Sequence, residues 1–263
     1  MRMRRFQKSR RPPMSFDLSG CHLYGILDLG YVEPAKAVET TRAMLAGGVQ
    51  ILQLRAKNLA PAEILPLAQN LAPLCRAAGV PFILNDHPEL VAPSGADGVH
   101  VGQDDQSVAE ARRLAGPGKL VGLSTHSPAQ ARAAFEQKPD YIGFGPLFST
   151  PTKPDYTPIG TADIAEVHRN APLPIFCIGG IKLENLPQIL ASGAQRVVIV
   201  SGILQAVDIS AYCAECLRFL RENGSQAGNP DDLRREWLQA SEQGLVAVWE
   251  NPEDEVYNAL SKK

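Results

Sequence analysis

From Tyr24 onward the chain repeats one unit eight times: a short run of apolar and β-branched residues, a helical pattern rich in Ala, Leu, Glu and Arg, then Gly or Pro. The runs are YGILDL from Tyr24, VQILQLR from Val49, PFILND from Pro81, GVHVG from Gly98, KLVGLST from Lys119, YIGFGPL from Tyr141, PIFCIGG from Pro174 and RVVIVSG from Arg196. A continuous apolar run suits a strand buried on both faces, and such strands alternating with helices make a parallel sheet. Eight units within roughly 200 residues predict a closed (β/α)8 TIM barrel. A doubly wound sheet is the alternative, but no GxGxxG follows the first run.

The intervening segments, among them PAKAVETTRAMLAGG, SVAEARRLAG and SPAQARAAFEQK, open with Pro or Ser and mostly close with Gly. That is the start and stop chemistry of helices. The barrel is expected over residues 21–223. Residues 1–20 carry Arg2, Arg4, Arg5, Lys8, Arg10 and Arg11 without an apolar segment, and read as a disordered basic tail rather than a secretory signal. Residues 224–263 read as a linker and an accessory helix bearing Trp237 and Trp249, a candidate contact for a partner or a second copy.

The net charge of −2 leaves no electrostatic footprint for nucleic acid. No run approaches the ~20 apolar residues needed to span a membrane. Five scattered cysteines make no disulfide framework, and Cys213 and Cys216, a CxxC on a predicted helix, are expected to pack rather than bind metal. Together these point to a reducing, cytoplasmic setting.

In a barrel the chemistry gathers at the C-terminal strand ends. Strand two ends in Gln53, Arg55 and Lys57, strand three in Asn85 and Asp86, and strand four runs into Gln103, Asp104 and Asp105. Strand five ends in Ser124, Thr125 and His126. Strand six feeds FGPLFSTPTKPDYTPIG, where Thr150, Thr152 and Lys153 stand among prolines. Strands seven and eight end in Gly179-Gly180 and Ser201-Gly202. Arg55, Lys57 and Lys153 are cations suited to phosphate oxygens. Asp86 and Asp105 lack a basic neighbour in sequence and suit Mg²⁺, which takes one or two carboxylates and completes its shell with water and phosphate. The glycine-rich ends of strands seven and eight offer backbone N–H groups to a second anion. Two phosphorylated small molecules, or one with two phosphoryl ends, would fill such a site. Among the histidines, His100 alternates with Val99 and Val101 and can face the barrel interior, His87 is a candidate neighbour to the metal ligand, and His126 is the candidate proton carrier.

QLRAK, ND, GVHVGQDD, GLSTH, FGPLFSTPTK, CIGGI and VSGI, in this order, resemble the thiamine phosphate synthase family over about Tyr24 to Leu220. That family joins hydroxymethylpyrimidine diphosphate to hydroxyethylthiazole phosphate, or its carboxylated form, and releases pyrophosphate. The resemblance implies that Gln53, Arg55, Lys57 and Asn85 hold the pyrimidine diphosphate, with Ser124 on the pyrimidine side. It implies Mg²⁺ at Asp86 and Asp105, with Lys153 reaching the diphosphate. Thr150 and Thr152, Gly180 and the Val200-Ser201 backbone would hold the thiazole phosphate. The family's reaction is understood as dissociative, needing no enzyme nucleophile, and no nucleophile–base pair is apparent here. Two rivals stand beside it: a related barrel that isomerises the carboxylated thiazole phosphate, and a non-catalytic barrel that only binds phosphate ligands. The full QLRAK, ND and GQDD set favours the synthase over both.

Overall fold

The structure, a computed structural model, describes residues 16–150, 157–169 and 171–224. Eight strands, β1 (Leu23–Asp28), β2 (Ile51–Arg55), β3 (Phe82–Asn85), β4 (Gly98–Val101), β5 (Leu120–Thr125), β6 (Tyr141–Phe144), β7 (Ile175–Cys177) and β8 (Val197–Ile199), close into a barrel in sequence order. Every neighbour pair is parallel, and β1 meets β8 to complete the ring. This is the (β/α)8 architecture, and each of the eight apolar runs contributes its strand.

The helices α1 (Ala37–Ala46), α2 (Pro61–Ala78), α3 (Val91–Ser94), α4 (Val108–Ala115), α5 (Pro128–Gln137), α6 (Ile164–Arg169) and α7 (Leu186–Ala191) lie between consecutive strands. After β8 come the single turn α8 (Ser201–Leu204) and the longer α9 (Ile209–Gly224). Ser107 and Ser127 cap α4 and α5 through their hydroxyls, accepting from Glu110 N and Gln130 N. Helix α2 keeps 18 residues although Pro66 and Pro73 lie inside it. Both prolines are on its exposed face, where carbonyls deprived of a partner can meet water. Its buried stripe, Ile64, Ala68, Leu71, Ala72 and Cys75, has the spacing that seats a helix on a sheet.

The period of two along each strand divides the core into two bodies. Outward side chains such as Leu27, Leu52, Val99, Val101 and Ile142 pack under the helices. Inward ones, Tyr24, Ile26, Ile51, Ile83, Tyr141, Phe176 and Val198, fill the barrel, with Leu18 closing its N-terminal end. The filling leaves the C-terminal mouth open. The CxxC thiols on α9 are buried and free, and burial raises both to about 12, so they pack and stay protonated. A Cβ on Gly47 at the end of α1 would sit 2.5 Å from Cys213 Cβ, which measures how closely α9 lies against α1. Of the basic tail expected over 1–20 and the segment expected over 224–263, residues 1–15 and 225–263 lie outside the described residues, while Leu18 is buried against the barrel interior and Gly224 ends α9. No helix among the described residues is long and apolar enough to cross a membrane.

Candidate active site

A cavity opens at the C-terminal mouth of the barrel, and residues from all eight strands or their following loops line it. Its floor is made of the topmost inward side chains of the filled interior. Its wall carries Gln53, Arg55, Asn85, Ser124, His126, Thr150, Gly180, Val200 and Ser201. Eight of the thirteen expected site residues therefore share one cavity. Thr152 and Lys153 lie outside the described residues, while Lys57, Asp86 and Asp105 sit beyond the strand ends, off the cavity wall.

Two ion pairs organise the cations. Arg55 Nη1 donates to Asp28 Oδ2 over 2.7 Å, and Asp28 is only 2% exposed. Asp28, the last residue of β1, also accepts from Gly30 N over 2.9 Å. A guanidinium has five N–H donors, so one bond to Asp28 fixes its direction and leaves donors for phosphate oxygens. Asp28 is not among the residues expected at the site, although the strand-end rule covers it equally.

The second pair adds what the sequence alone did not show. Asp86 has a basic neighbour in space: Lys57 Nζ is ion-paired to Asp86 Oδ2. Lys57 follows β2 and Asp86 follows β3, so adjacent strands bring them together across a gap in sequence. Asp86 also holds φ at 64°, a backbone conformation uncommon for a residue with a side chain and often met at functional sites. Asp105 turns back on its own loop, with Oδ2 accepting from Gly102 N over 2.7 Å. Among the described residues no group of three or more His, Cys, Asp and Glu clusters as a metal cage.

The histidines separate. His87 pairs with Glu89 rather than attending Asp86. His126 faces the cavity, and its Nδ1 donates to the Gly145 carbonyl. Ser124, close to His126 in sequence, is bonded to His100 instead, Oγ to Nε2 at 2.9 Å. His100 does point inward, as its alternation with Val99 and Val101 suggested.

Beneath Ser124 the floor is a hydrogen-bonded row. His100 Nδ1 faces Tyr141 Oη at 3.2 Å, Tyr141 Oη faces Tyr24 Oη at 3.0 Å, and Gln53 Nε2 donates to Tyr24 Oη over 2.6 Å. Tyr24 and Tyr141 are fully enclosed, and burial raises both phenols, so they stay protonated. Tyr24, Tyr141 and Phe176 stack edge-to-face in all three pairings, with centroids 5.5–5.9 Å apart. Residue types at the strand ends gave no sign of this row, because the tyrosines stand earlier in their strands.

Elsewhere on the wall Gly179 and Gly180 both have positive φ, 101° and 65°. A Cβ at Gly180 would lie 2.7 Å from Phe148 Cβ and 2.8 Å from Ser149 O, so only glycine brings this backbone so near the Thr150 loop. The turn α8 begins at Ser201, which lines the same cavity.

The family described as thiamine monophosphate synthase matches residues 23–203. A thiamine-phosphate synthase of Thermus thermophilus is 47% identical over 173 residues, covering 65% of this chain and 82% of that protein. One from Halalkalibacterium halodurans is 40% identical over 181 residues, covering 68% and 86%. Among solved structures, a thiamine phosphate pyrophosphorylase from Pyrococcus furiosus superposes with a TM-score of 0.70 at 28% identity, covering 76% of this chain and 96% of that one.

Proposed function

The chain belongs to the thiamine monophosphate synthase family and is a transferase of thiamine biosynthesis, and from that premise we propose how its residues divide the work. Arg55, aimed by Asp28, and Lys57 take the diphosphate of hydroxymethylpyrimidine diphosphate, with Lys153 of the strand-six loop as the third cation. Gln53, Asn85 and Ser124 hold the pyrimidine. Thr150 and Thr152, with Gly180 and the Val200-Ser201 backbone, hold the thiazole phosphate. What supports this reading is the single cavity lined by Gln53, Arg55, Asn85 and Ser124 of the first set and by Thr150, Gly180, Val200 and Ser201 of the second.

The chemistry asks for positioning and charge rather than proton transfer. The methylene C–O bond breaks with its electron pair leaving on pyrophosphate, and the pyrimidine ring delocalises the cation that remains. The thiazole nitrogen then supplies a lone pair to that carbon, so atoms and charge balance without an enzyme base. Two carboxylates at adjacent strand ends, Asp86 and Asp105, suit Mg²⁺, which draws its remaining ligands from water and phosphate; bound there, the ion would neutralise charge on the departing diphosphate. Because Lys57 already pairs with Asp86, that lysine would turn from the carboxylate to the incoming phosphates as the charge there changes. The free thiols favour a reducing, cytoplasmic setting for this work.

The test is pyrophosphate release with each substrate alone and both together, with Mg²⁺ and after chelation. Release that requires both substrates and disappears with EDTA is expected. Asp86→Ala should lose most of that activity while remaining folded, and full activity in that variant would remove Asp86 from the metal site. If no combination of substrates releases pyrophosphate although the thiazole phosphate binds, the isomerase or the binding barrel returns to favour.

A further inference from the structure

The hydrogen bonds of the cavity floor form one unbroken chain across five strands, Gln53–Tyr24–Tyr141–His100–Ser124. Both of its ends are residues assigned to the pyrimidine, so any role for the chain in recognition rests on that assignment. Three of the links, Tyr24, Tyr141 and His100, have no assigned role. The register puts His100 level with Gly122 and Gly122 level with Tyr141, so the two rings meet over a glycine. A Cβ there would stand 2.2 Å from Tyr141 Cζ and 2.5 Å from His100 Nδ1. The pairing of these rings is therefore built into three neighbouring strands.

Such a chain has a direction, because each phenol has one proton. With Gln53 donating its amide N–H to Tyr24, the arrangement that leaves both phenol protons with an acceptor sends the Tyr24 proton to Tyr141 and the Tyr141 proton to His100 Nδ1. The imidazole then carries its own proton on Nε2 and donates it to Ser124 Oγ, which turns the serine proton toward the cavity. At the far end, Gln53, engaged through its nitrogen, keeps its carbonyl as an acceptor. Turning the Gln53 amide over would favour the opposite direction throughout, since a buried phenol whose proton finds no acceptor is costly.

We infer that this chain is a polarised relay that sets Gln53 as acceptor and Ser124 as donor, and so selects an aminopyrimidine over its oxo counterpart. An aminopyrimidine offers an N–H donor from the amino group and an acceptor at the adjacent ring nitrogen. The 4-oxo ring offers the opposite pattern, an acceptor oxygen beside a ring N–H. A site whose polar groups are fixed in direction rejects the mismatched ring by leaving those groups unpaired. Tyr24, Tyr141 and His100 line the cavity floor and act in this relay as positioning residues, through the hydrogen bonds they make to Gln53 and Ser124.

The experiment compares KM for the aminopyrimidine diphosphate with Ki for its 4-oxo analogue in the full-length enzyme and in Tyr141→Phe. The phenylalanine keeps the ring packing and removes the link. The relay predicts that the preference for the amino ring narrows by about tenfold in Tyr141→Phe, with KM for the thiazole phosphate unchanged. An unchanged preference in the folded variant would overturn the relay while leaving the synthase reading intact, and failure of the wild type to turn over the aminopyrimidine would overturn both. Should Tyr141→Phe fail to fold, Tyr24→Phe breaks the chain one link earlier. The ¹⁵N NMR spectrum of histidine-labelled wild type is an independent check: His100 should be protonated at Nε2, and a proton on Nδ1 in the resting enzyme would overturn the assignment.

Discussion

The floor and the rim of the cavity hold polar groups by opposite means. The rim uses charge: Arg55 against Asp28, and Lys57 against Asp86, at the ends of neighbouring strands. The floor, one layer deeper, uses neutral hydrogen bonds between phenols, an amide and an imidazole. Depth explains the difference. Lys57 keeps half its side chain exposed and can exchange a carboxylate for a phosphate at small cost, because water screens the intermediate state. Tyr24 and Tyr141 have no such access, and an ion at their level would face a desolvation penalty of several kcal/mol. The rim is thus suited to binding and releasing anions, the floor to holding an uncharged ring in one orientation.

Three changes would break or sharpen that contrast, in decreasing order of effect. On the proposed division Arg55→Ala removes a phosphate donor, and it leaves Asp28 buried without its partner. It should lower kcat/KM by roughly a hundredfold or more and cost about 3 kcal/mol of stability, read by steady-state kinetics and urea unfolding. Gly122→Ala strikes the floor alone. Its methyl group must displace Tyr141 or His100, so a loss of about 1–3 kcal/mol is expected, with KM for the pyrimidine rising more than KM for the thiazole phosphate. Equal rises in both would mean that floor and wall move as one body. Deleting residues 225–263, beyond the matched family region and beyond α9, should leave kcat/KM within about twofold. A folded but inactive truncation would extend the rim to include that segment.

The rim was largely legible in the sequence, because a barrel presents its strand ends to one side and the residue types there speak for themselves. Arg55 and Asn85 are found in that way, as are Gln53 and Ser124 at the two ends of the floor's chain, and all four reach the cavity. The pairings within the rim were harder to read. Lys57 and Asp86 are separated in sequence by the whole of α2 and β3, and only the adjacency of β2 and β3 makes them neighbours. Asp28 obeys the same rule as Arg55 but ends an apolar run with no cation beside it in the chain. Between those two ends the floor was not legible from residue type. Tyr24 and Tyr141 are separated by 117 residues, and each reads as an apolar strand residue until the ring closes. His100 is the one trace of it, an inward polar residue between two outward valines. Register across β4, β5 and β6 then decides what it touches.

The division between floor and rim is tested most directly by equilibrium binding of inorganic pyrophosphate in the presence of Mg²⁺, compared among wild type, Arg55→Ala and Tyr141→Phe. Pyrophosphate has the charge of the substrate and none of its ring. Binding weakened at least about tenfold in Arg55→Ala and unchanged in Tyr141→Phe is the predicted result. Equal weakening in both folded variants would contradict the division, since the floor would then be serving the anion as well as the ring.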